Sequence, residues 1–376
     1  MTLTAKSCDR KGKEKVFRLH LNQAASCCMS YSIDLDHAKT FDHYIDLWQQ
    51  ERQQLDQGQE ILSCEACWKH EQAGMPSYRQ TADLNKISSI EIISSNLCNH
   101  MCSYCSPKFS SEWQKSIEDQ GVFEKISSTA KLNQYLGKIS LDDSQEYWLS
   151  EIEKYISHRS EHLISIKLLG GEPLMQMANL KRLLEFNSDK IDLLEIHTNL
   201  NPPSSKFLRW MLDTFPKEKL KFNISLDATT EYNHIPRAGF DQGRFLNNLA
   251  LLIQHEIKFI FTPVISVLSI FDISNFYSFI LEHDYEIDIG RINNPDCLDA
   301  IHLPKEFQQR ILDTNVPLPK LAKEILTIQT KSVDLKLFEQ YNYLKQYFAR
   351  TNIDPGTTPN ALFNEYWVWL SNRGFS

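Results

Sequence analysis

Three cysteines stand close together in the segment SSNLCNHMCSYCSPKFSS, which covers residues 94–111. Three residues separate Cys98 from Cys102, and two residues separate Cys102 from Cys105. Cysteine thiolates bind zinc ions and iron–sulfur clusters, usually in sets of four. A set of three either takes a fourth ligand from elsewhere in the chain, such as His100 in a zinc site, or leaves one metal position open. An open position accepts a ligand from outside the protein, as it does in catalytic zinc sites.

A second motif, in the segment KLLGGEPLM, consists of Gly170, Gly171, Glu172 and Pro173. It directly follows a run of residues that is typical of a β-strand. Paired glycines let a ligand approach the backbone closely, and the Glu172 carboxylate is a charged acceptor beside them. A Gly-Gly-Glu-Pro sequence also fits an ordinary turn. Its position one βα unit after the cysteine segment makes chance a poor explanation.

Residues 86–299 alternate between strand patterns and helix patterns, which predicts βαβ units and a parallel sheet. The six strand-like runs are ISSIEIIS, LISIKLLG, DLLEIHTN, LKFNISLD, IKFIFTPVISV and YEIDIGRIN. Right-handed crossovers curl such units toward a partial barrel or an open wound sheet. The three cysteines follow the first strand. We therefore expect them at the carboxyl edge of the sheet, where active sites of these folds collect.

Two further zones flank this region. Residues 1–85 contain a hairpin pattern in VFRLHLNQAASCCMSYSI, the segment SCEACWKHEQAG, and a helix pattern with apolar residues at Phe41, Tyr44, Leu47 and Trp48. This zone has too few apolar residues for an independent core, so something other than packing is expected to hold it together. Residues 300–376 and an insertion at about 114–160 are predicted to be helical, and the aromatic residues of ALFNEYWVWL are predicted to pack.

Composition excludes several classes of protein. The chain has 376 residues, and its forty basic and forty-eight acidic residues give a net charge of −8, which argues against a nucleic-acid binder. No apolar run approaches the roughly 18 residues that a membrane span needs, and the N-terminus lacks the apolar region of a signal peptide. The sequence therefore predicts a cytoplasmic protein whose nine cysteines serve metal or redox chemistry.

The pairing of Cys-x3-Cys-x2-Cys with Gly-Gly-Glu-Pro resembles the radical S-adenosylmethionine (SAM) superfamily, over roughly residues 87–295. The resemblance implies a partial (β/α)6 TIM-like barrel in which Cys98, Cys102 and Cys105 hold a 4Fe–4S cluster. It implies that the amino and carboxylate groups of SAM chelate the open iron. One electron then cleaves the sulfonium bond, and a 5′-deoxyadenosyl radical takes a hydrogen atom from the substrate. An external electron donor such as flavodoxin or ferredoxin is also implied.

The resemblance assigns further residues to SAM binding. Tyr104 matches an aromatic position near the adenine, and Gly170, Gly171, Glu172 and Pro173 match the glycine-rich motif. Thr198, Asn199, Ser225 and Asp227 follow the third and fourth strands, where polar side chains bond the ribose hydroxyls. Arg237, in IPRAG, is the candidate for the SAM carboxylate. Each of the five polar residues also fits a loop-stabilising role.

Residues 1–85 resemble the small auxiliary-cluster modules called twitch or SPASM, which usually follow the barrel rather than precede it. The resemblance makes Cys8, Cys27, Cys64 and Cys67 the ligands of a second iron–sulfur cluster, with Cys28 as the competitor for Cys27. Four thiolates would staple a module that is short of apolar core. A structural zinc is the alternative, which a Cys-x-x-Cys alone does not exclude. The turn of the hairpin departs from the usual pattern because it lacks a glycine.

The remaining expectations concern substrate and isolated residues. Auxiliary clusters of this type imply a peptide or protein substrate that is crosslinked, epimerised or oxidised. The alternatives are a small molecule such as a nucleotide or sugar, and a non-catalytic iron–sulfur or zinc protein with a binding or sensing role. Cys297 is expected to be a core or loop thiol. The histidines, among them His100, His197 and His234, are expected to pack or face solvent, because no carboxylate pairs with them at useful spacing.

Overall fold

The structure is a computed structural model. It describes residue 8 and residues 14–27, 30–35, 40–72, 74, 77, 79, 89–126, 143–158, 164–292, 294–328 and 333–375. Cys28, the predicted competitor for Cys27, lies outside these residues, and so do residues 127–142 of the predicted insertion. The outcomes below therefore concern the described part of the chain.

The predicted N-terminal hairpin is present. Its strands are β1 (Glu14–Arg18) and β2 (Gln23–Ala25), which pair antiparallel, and β3 (Ile33–Asp34) pairs antiparallel with β2. The turn is a short 3-10 helix that ends at Asn22, whose φ is +53°. Asparagine visits this left-handed region more readily than other residues with a side chain. The turn therefore needs no glycine.

The hairpin belongs to the same sheet as the parallel strands that follow it. Strand β1 pairs in parallel with β4 (Ser89–Ile93), for example Val16 opposite Glu91. Strand β4 pairs in parallel with β6 (Ile164–Leu168), and β6 with β7 (Ile191–Thr198). With β8 (Leu220–Ile224) and β10 (Lys258–Phe261), the strand order is β10-β8-β7-β6-β4-β1-β2-β3. The predicted α/β class is confirmed.

The last of the six predicted strands is much shorter than expected. The run YEIDIGRIN forms an isolated bridge from Ile287 to Phe261 and the two-residue strand β12 (Gly290–Arg291). This strand pairs in parallel with β11 (Val264–Ile265) in a separate sheet. The likeness of the run to a strand comes from Ile287 and Ile289, which alternate with acidic residues, but Arg291 breaks the alternation, and glycine at position 290 weakens a strand.

Helices lie between the strands, as the alternating pattern predicts. In the described part of the first two hundred residues they are α1 (Phe41–Asp56), α2 (Glu65–Gln72), α3 (Ser111–Gln120), α4 (Asp143–His158) and α5 (Met177–Phe186). The next three are α6 (Lys206–Thr214), α7 (Gln242–Gln254) and α8 (Ile273–Glu282). The C-terminal segment holds α9 (Lys305–Leu312), α10 (Lys320–Thr327), α11 (Val333–Thr351) and α12 (Ala361–Ser371).

The chain divides into two compact units. The first consists of Met1–Asn96, Lys138–His197 and Phe207–Lys221. Its core includes Phe17, Tyr44, Ile90, Ile166 and Leu194, all of them buried. Thr40 caps α1, because its side chain accepts a hydrogen bond from the backbone N–H of His43. Phe17 of the hairpin contacts Tyr44 of α1, so the hairpin and α1 pack together in the same unit as β4, β6 and β7.

The second unit consists of Leu97–Gly137, Thr198–Lys206 and Phe222–Ser376. It contains the cysteine segment and the whole C-terminal region. Phe363, Tyr366 and Leu370 are buried on α12, which confirms that the aromatic residues of this segment pack. Cys297 is fully buried, as expected for a core thiol. Each unit thus has a core of its own.

Candidate active site

The segment around Cys98, Cys102 and Cys105, here called the cysteine loop (residues 97–110), lies in the second unit. Its strand β5 (Met101–Cys102) pairs antiparallel with β9 (Arg237–Ala238), so Cys102 stands opposite Arg237. A turn follows, in which the N–H of Cys105 donates to the carbonyl of Cys102 at 2.9 Å. Cys102 and Cys105 are therefore neighbours on one turn.

Serine side chains fix the two ends of the loop. The Ser111 hydroxyl accepts from the N–H of Cys98 at 3.1 Å and donates to the carbonyl of Cys98 at 3.0 Å. Ser110 caps α3 by accepting from the N–H of Trp113, and its hydroxyl donates to the carbonyl of His100 at 2.7 Å. Serine at an N-cap is favoured because its oxygen satisfies a free N–H of the first turn. The start of α3 thus holds the cysteine loop.

Gly239 allows the backbone after β9 to touch the loop. Its φ is +97°, and a Cβ added there would lie 2.4 Å from the carbonyl oxygen of Asn99. Only glycine combines this φ with so close an approach. Sequence reasoning did not single out Gly239, although it directly follows Arg237 and Ala238 in IPRAG.

Arg237 forms a buried ion pair with Asp227. Its Nε donates to Asp227 Oδ2 at 2.8 Å and its Nη2 donates to Oδ1 at 3.1 Å. Asp227 is fully buried, and Arg237 is 6% exposed. Tyr104 donates to Asp227 at 2.8 Å and accepts from Arg237, while Nη1 of Arg237 lies 3.5 Å from Cys102 Sγ. Every nitrogen of the guanidinium therefore has a protein partner.

Burial and charge shift the pKa values of the two neighbouring thiols. Burial raises the pKa of Cys102, and the Arg237 guanidinium opposes that rise. Burial, followed by the charge of Cys102, raises the pKa of Cys105 to about 12. The thiols of Cys102 and Cys105 are thus close enough to influence each other. Metal binds the deprotonated thiolate. The Arg237 cation beside Cys102 stabilises that thiolate and so favours the metal-bound form.

Three asparagines form a layer beside the loop. The Asn199 amide donates to Asn99 Oδ1 at 3.1 Å, and the Asn99 amide donates to the carbonyl of Asn201 at 2.7 Å. Asn199 also accepts from the N–H of Asn201 at 2.8 Å, and Thr198 accepts from the N–H of Leu200 at 2.8 Å. These contacts stabilise the turn after β7. Asn99 and Asn201 were not predicted from the sequence.

Ser225 is half-buried, and its N–H donates to the carbonyl of Thr198 at 2.8 Å. The contacts of Ser225, Thr198 and Asn199 neither require nor exclude the ribose roles that the resemblance implies. Those roles stay predictions.

Two of the singled-out histidines have defined surroundings. His100 is 1% exposed, and its Nε2 lies 3.5 Å from Asn201 Oδ1. Burial lowers the pKa of His100 to about 3, so the ring is neutral at neutral pH. The expectation that no carboxylate pairs with His197 is wrong, because its Nε2 lies 3.5 Å from Glu195 Oε1. Residues two apart in a strand share one face, which the spacing argument overlooked.

The Gly-Gly-Glu-Pro motif lies in the first unit, directly after β6. Gly170 and Gly171 have φ values of +74° and +52°. Glu172 is fully buried, and its carboxylate accepts from the N–H of Leu174 at 3.0 Å. Pro173 begins a short 3-10 helix, a position for which its fixed φ is suited. The motif therefore forms a turn directly after β6.

The space at Gly170 is filled by this chain itself. A Cβ added to Gly170 would lie 2.1 Å from Ile93 Cγ2. On the side where a Cβ would stand, Gly170 therefore leaves no room for a ligand, because Ile93 occupies that space. This corrects the expectation for that side of the glycine only. For Gly171 the expectation stays a prediction.

We expect Gly170→Ala to destabilise the protein by about 2–4 kcal/mol, because it adds both backbone strain and overpacking against Ile93. Gly58→Ala is the matched control. Gly58 has a φ of +79°, and an added Cβ meets nothing within 4 Å, so only the backbone cost of about 1 kcal/mol applies. Urea denaturation measures both variants. Equal losses would contradict the packing role of Ile93.

The four remaining predicted ligands lie in the first unit and are buried. Cys8 and Cys64 belong to one apolar cluster, together with Leu55, Ile61 and Trp68. Burial raises the pKa of Cys67, and the charge of Cys27 raises it further, so these two cysteines are also near each other. The Ser30 hydroxyl donates to Cys27 Sγ at 3.5 Å. Four cysteines from three segments of the chain are thus buried in this zone.

A family model of the radical SAM superfamily matches residues 92–280, which is just over half of the 376 residues. The chain therefore belongs to the radical SAM superfamily. Membership implies a 4Fe–4S cluster and SAM as cofactors. Comparison with curated proteins gives no match.

Several solved structures are similar to this chain. Native anSMEcpe with bound AdoMet has 16% sequence identity and a TM-score of 0.38, over 69% of this chain and 59% of that chain. Native anSMEcpe with bound AdoMet and Kp18Cys peptide has 15% identity and a TM-score of 0.41, over 70% and 62%. Streptococcus suis SuiB bound to precursor peptide SuiA has 12% identity and a TM-score of 0.37, over 67% and 58%. The chain spans about three fifths of these proteins.

The cysteine loop fits the cluster that the superfamily implies. It offers three thiols on one short loop, with Cys102 and Cys105 adjacent and Arg237 beside Cys102. Across the described ranges, no three His, Cys, Asp or Glu side chains converge tightly enough to hold a single metal ion. A four-iron cluster does not demand that convergence, because each thiolate binds a different iron. Within the same ranges, no helix has both the length and the apolar character to cross a membrane.

Proposed function

We propose that this protein is a radical SAM enzyme that abstracts a hydrogen atom from a peptide or protein substrate. The observation that carries the proposal is the cysteine loop, held opposite Arg237 in a chain of this superfamily. Cys98, Cys102 and Cys105 would hold the 4Fe–4S cluster. When bound, the cluster supplies the electron that cleaves SAM to a 5′-deoxyadenosyl radical.

The surrounding residues orient this site. The Asp227–Arg237 pair fixes the guanidinium beside Cys102, and Tyr104 is tied to both charged residues. The asparagine layer holds the turn after β7 against the loop at Asn99. We assign Thr198, Asn199, Ser225 and Asp227 to the ribose hydroxyls of SAM, as the resemblance implies. Arg237 stays the candidate for the SAM carboxylate, a role that would compete with its bond to Asp227.

We further propose a second iron–sulfur cluster on Cys8, Cys27, Cys64 and Cys67. Its support is that all four cysteines, which come from three separate segments of the chain, are buried in the first unit. Four thiolates from three segments of the chain would tie that zone together. A structural zinc remains the alternative, since a set of four cysteine ligands binds either metal.

Iron analysis distinguishes these possibilities. We expect the anaerobically reconstituted protein to contain about eight irons, four on each cluster. A Cys64→Ala/Cys67→Ala variant and a variant lacking the three loop cysteines should each keep about four. The matched control is Cys297→Ala, whose buried thiol belongs to neither set and which should keep about eight. If the variant that lacks the three loop cysteines contains zinc instead of iron, the site on Cys8, Cys27, Cys64 and Cys67 is a structural zinc site and not a second cluster.

A peptide substrate is proposed over a small molecule because auxiliary clusters of the resembled type occur mainly in enzymes that modify peptides. The cluster would accept the electron that remains on the substrate after hydrogen abstraction, which leads to an oxidised product. The external electron donor is proposed to be a flavodoxin or ferredoxin, and the location to be the cytoplasm.

The test of the substrate is co-expression with a short peptide encoded beside the gene of this protein. A crosslink lowers the peptide mass by about two daltons, whereas epimerisation leaves the mass unchanged and appears after deuterium labelling. The variant without loop cysteines is the negative control. An unmodified peptide, together with turnover of a nucleotide or sugar, would favour the small-molecule alternative. Intact clusters without SAM cleavage would favour the non-catalytic one.

A further inference from the structure

Three consecutive carbonyl groups of the cysteine loop accept hydrogen bonds from buried aromatic side chains. Tyr347 donates to the carbonyl of Met101 at 3.2 Å, and Trp113 Nε1 donates to the carbonyl of Cys102 at 2.9 Å. The Tyr343 hydroxyl donates to the carbonyl of Ser103. Buried carbonyls need partners, and here aromatic side chains supply all three, two of them from 240 and 246 residues away in sequence.

Two of these donors come from one face of the C-terminal helix α11. Tyr343 and Tyr347 are four residues apart, which places them on the same side of a helix. Both are fully buried. The Tyr347 hydroxyl also lies 2.9 Å from the carbonyl of Ile235 and accepts from the N–H of Ala238 at 3.3 Å. A single hydroxyl therefore joins α11 to both β5 and β9.

Aromatic packing holds the donors in place. Ring centroids of Phe123 and Tyr343 are 4.8 Å apart, and those of Tyr343 and Tyr347 are 6.2 Å apart. Trp113 closes the cycle, at 6.1 Å from Tyr347 and 5.4 Å from Phe123. Arg350, one turn further along α11, donates to the carbonyl of Gly121 at 2.9 Å. The helix is thus fixed to the loop and to the segment after α3.

We propose that Tyr343 and Tyr347 are positioning residues that hold the cysteine loop in the geometry required for its cluster. The C-terminal segment is then part of the cluster site rather than a separate substrate-recognition element. The proposal rests on the assignment of the cluster to this loop. It concerns hydroxyl groups only, because the rings themselves serve packing.

The variants Tyr343→Phe and Tyr347→Phe test this inference, since they keep the rings and remove the hydroxyls. Tyr341→Phe is the matched control, because Tyr341 lies on the same helix but stacks on Trp367, with ring centroids 5.9 Å apart. In the cluster-free protein we measure alkylation of Cys102 and Cys105 by iodoacetamide, mapped by mass spectrometry. Alkylation of Cys64 in the first unit reports global unfolding.

We expect alkylation of Cys102 and Cys105 to be several-fold faster in both tyrosine variants, with Cys64 and the control variant unchanged. Unchanged loop reactivity, or a parallel increase at Cys64, would overturn the proposal. In the cluster-loaded protein, SAM is expected to change the electron paramagnetic resonance spectrum of the reduced cluster. When a ferrous chelator is added, this SAM-dependent change should disappear about tenfold faster in the two tyrosine variants than in the wild-type protein. Lack of that spectral change in the wild-type protein would instead refute the proposed function.

Discussion

Replacing Cys98, Cys102 and Cys105 with alanine is expected to abolish the release of 5′-deoxyadenosine from SAM. These thiols are the proposed ligands of the cluster that supplies the electron, and no other group on the loop replaces three thiolates. The loss should exceed the roughly 10–100-fold typical of removing a partner of a metal ligand. Release is measured by chromatography after anaerobic incubation with dithionite and SAM.

Cys297→Ala is the control for this experiment, because it removes one buried thiol outside the loop. It should retain activity even where it lowers stability, since large-to-small changes in a core leave a cavity. Release by the triple variant at the wild-type rate would show that the loop does not hold the catalytic cluster. If both variants are unfolded and neither releases 5′-deoxyadenosine, the comparison is repeated with cysteine-to-serine variants.

The largest loss of stability from a single polar substitution is expected for Asp227→Ala. It leaves the Arg237 guanidinium buried without its counter-ion, which typically costs about 3–5 kcal/mol. It also removes the acceptor of the N–H of Val264 and of the Tyr104 hydroxyl. The free energy of unfolding from urea titrations measures this loss.

Two further variants isolate the effect of the charge. Asp241→Ala removes a carboxylate that is half-exposed, pairs with Arg244 and caps α7, so we expect a loss of about 1 kcal/mol. Asp227→Leu/Arg237→Met replaces both members of the buried pair and should be less destabilised than Asp227→Ala alone. If Asp227→Ala loses no more stability than Asp241→Ala, the buried carboxylate does not stabilise the guanidinium in the way proposed.

The residues with unusual chemistry were predictable, and those with ordinary chemistry were not. Cys98, Cys102 and Cys105 stand out because cysteines are rare and their spacing is short. Asn99, Asn201, Tyr343 and Tyr347 are common residue types. Tyr343 reaches the loop from 240 residues away in sequence, and a local pattern holds no information about such a contact. A weak signal exists only in the spacing of the two tyrosines, which places them on one helix face.

Strand prediction succeeded where the runs were apolar. The segments that formed β4, β6 and β7 each have three buried isoleucines or leucines, for example Ile90, Ile166 and Leu194. The run around Ile287 was ambiguous, because acidic residues and Gly290 alternate with its isoleucines. The role of Gly170 was left open for a different reason. The glycine pattern indicates that a Cβ is not tolerated, but not whether a ligand or a neighbouring side chain occupies the space.

The parallel pairing of β1 with β4 has a consequence for synthesis on the ribosome. Strand β1 ends at Arg18 and β4 at Ile93, so the two cannot pair until more than seventy further residues have been translated. Until then, this sheet can contain only the short strands β1, β2 and β3, without the parallel strand that β1 pairs with in the folded protein. Nascent chains shorter than this length expose the edge of β1 to pairing with other chains. Chaperone demand should therefore be greatest before β4 emerges.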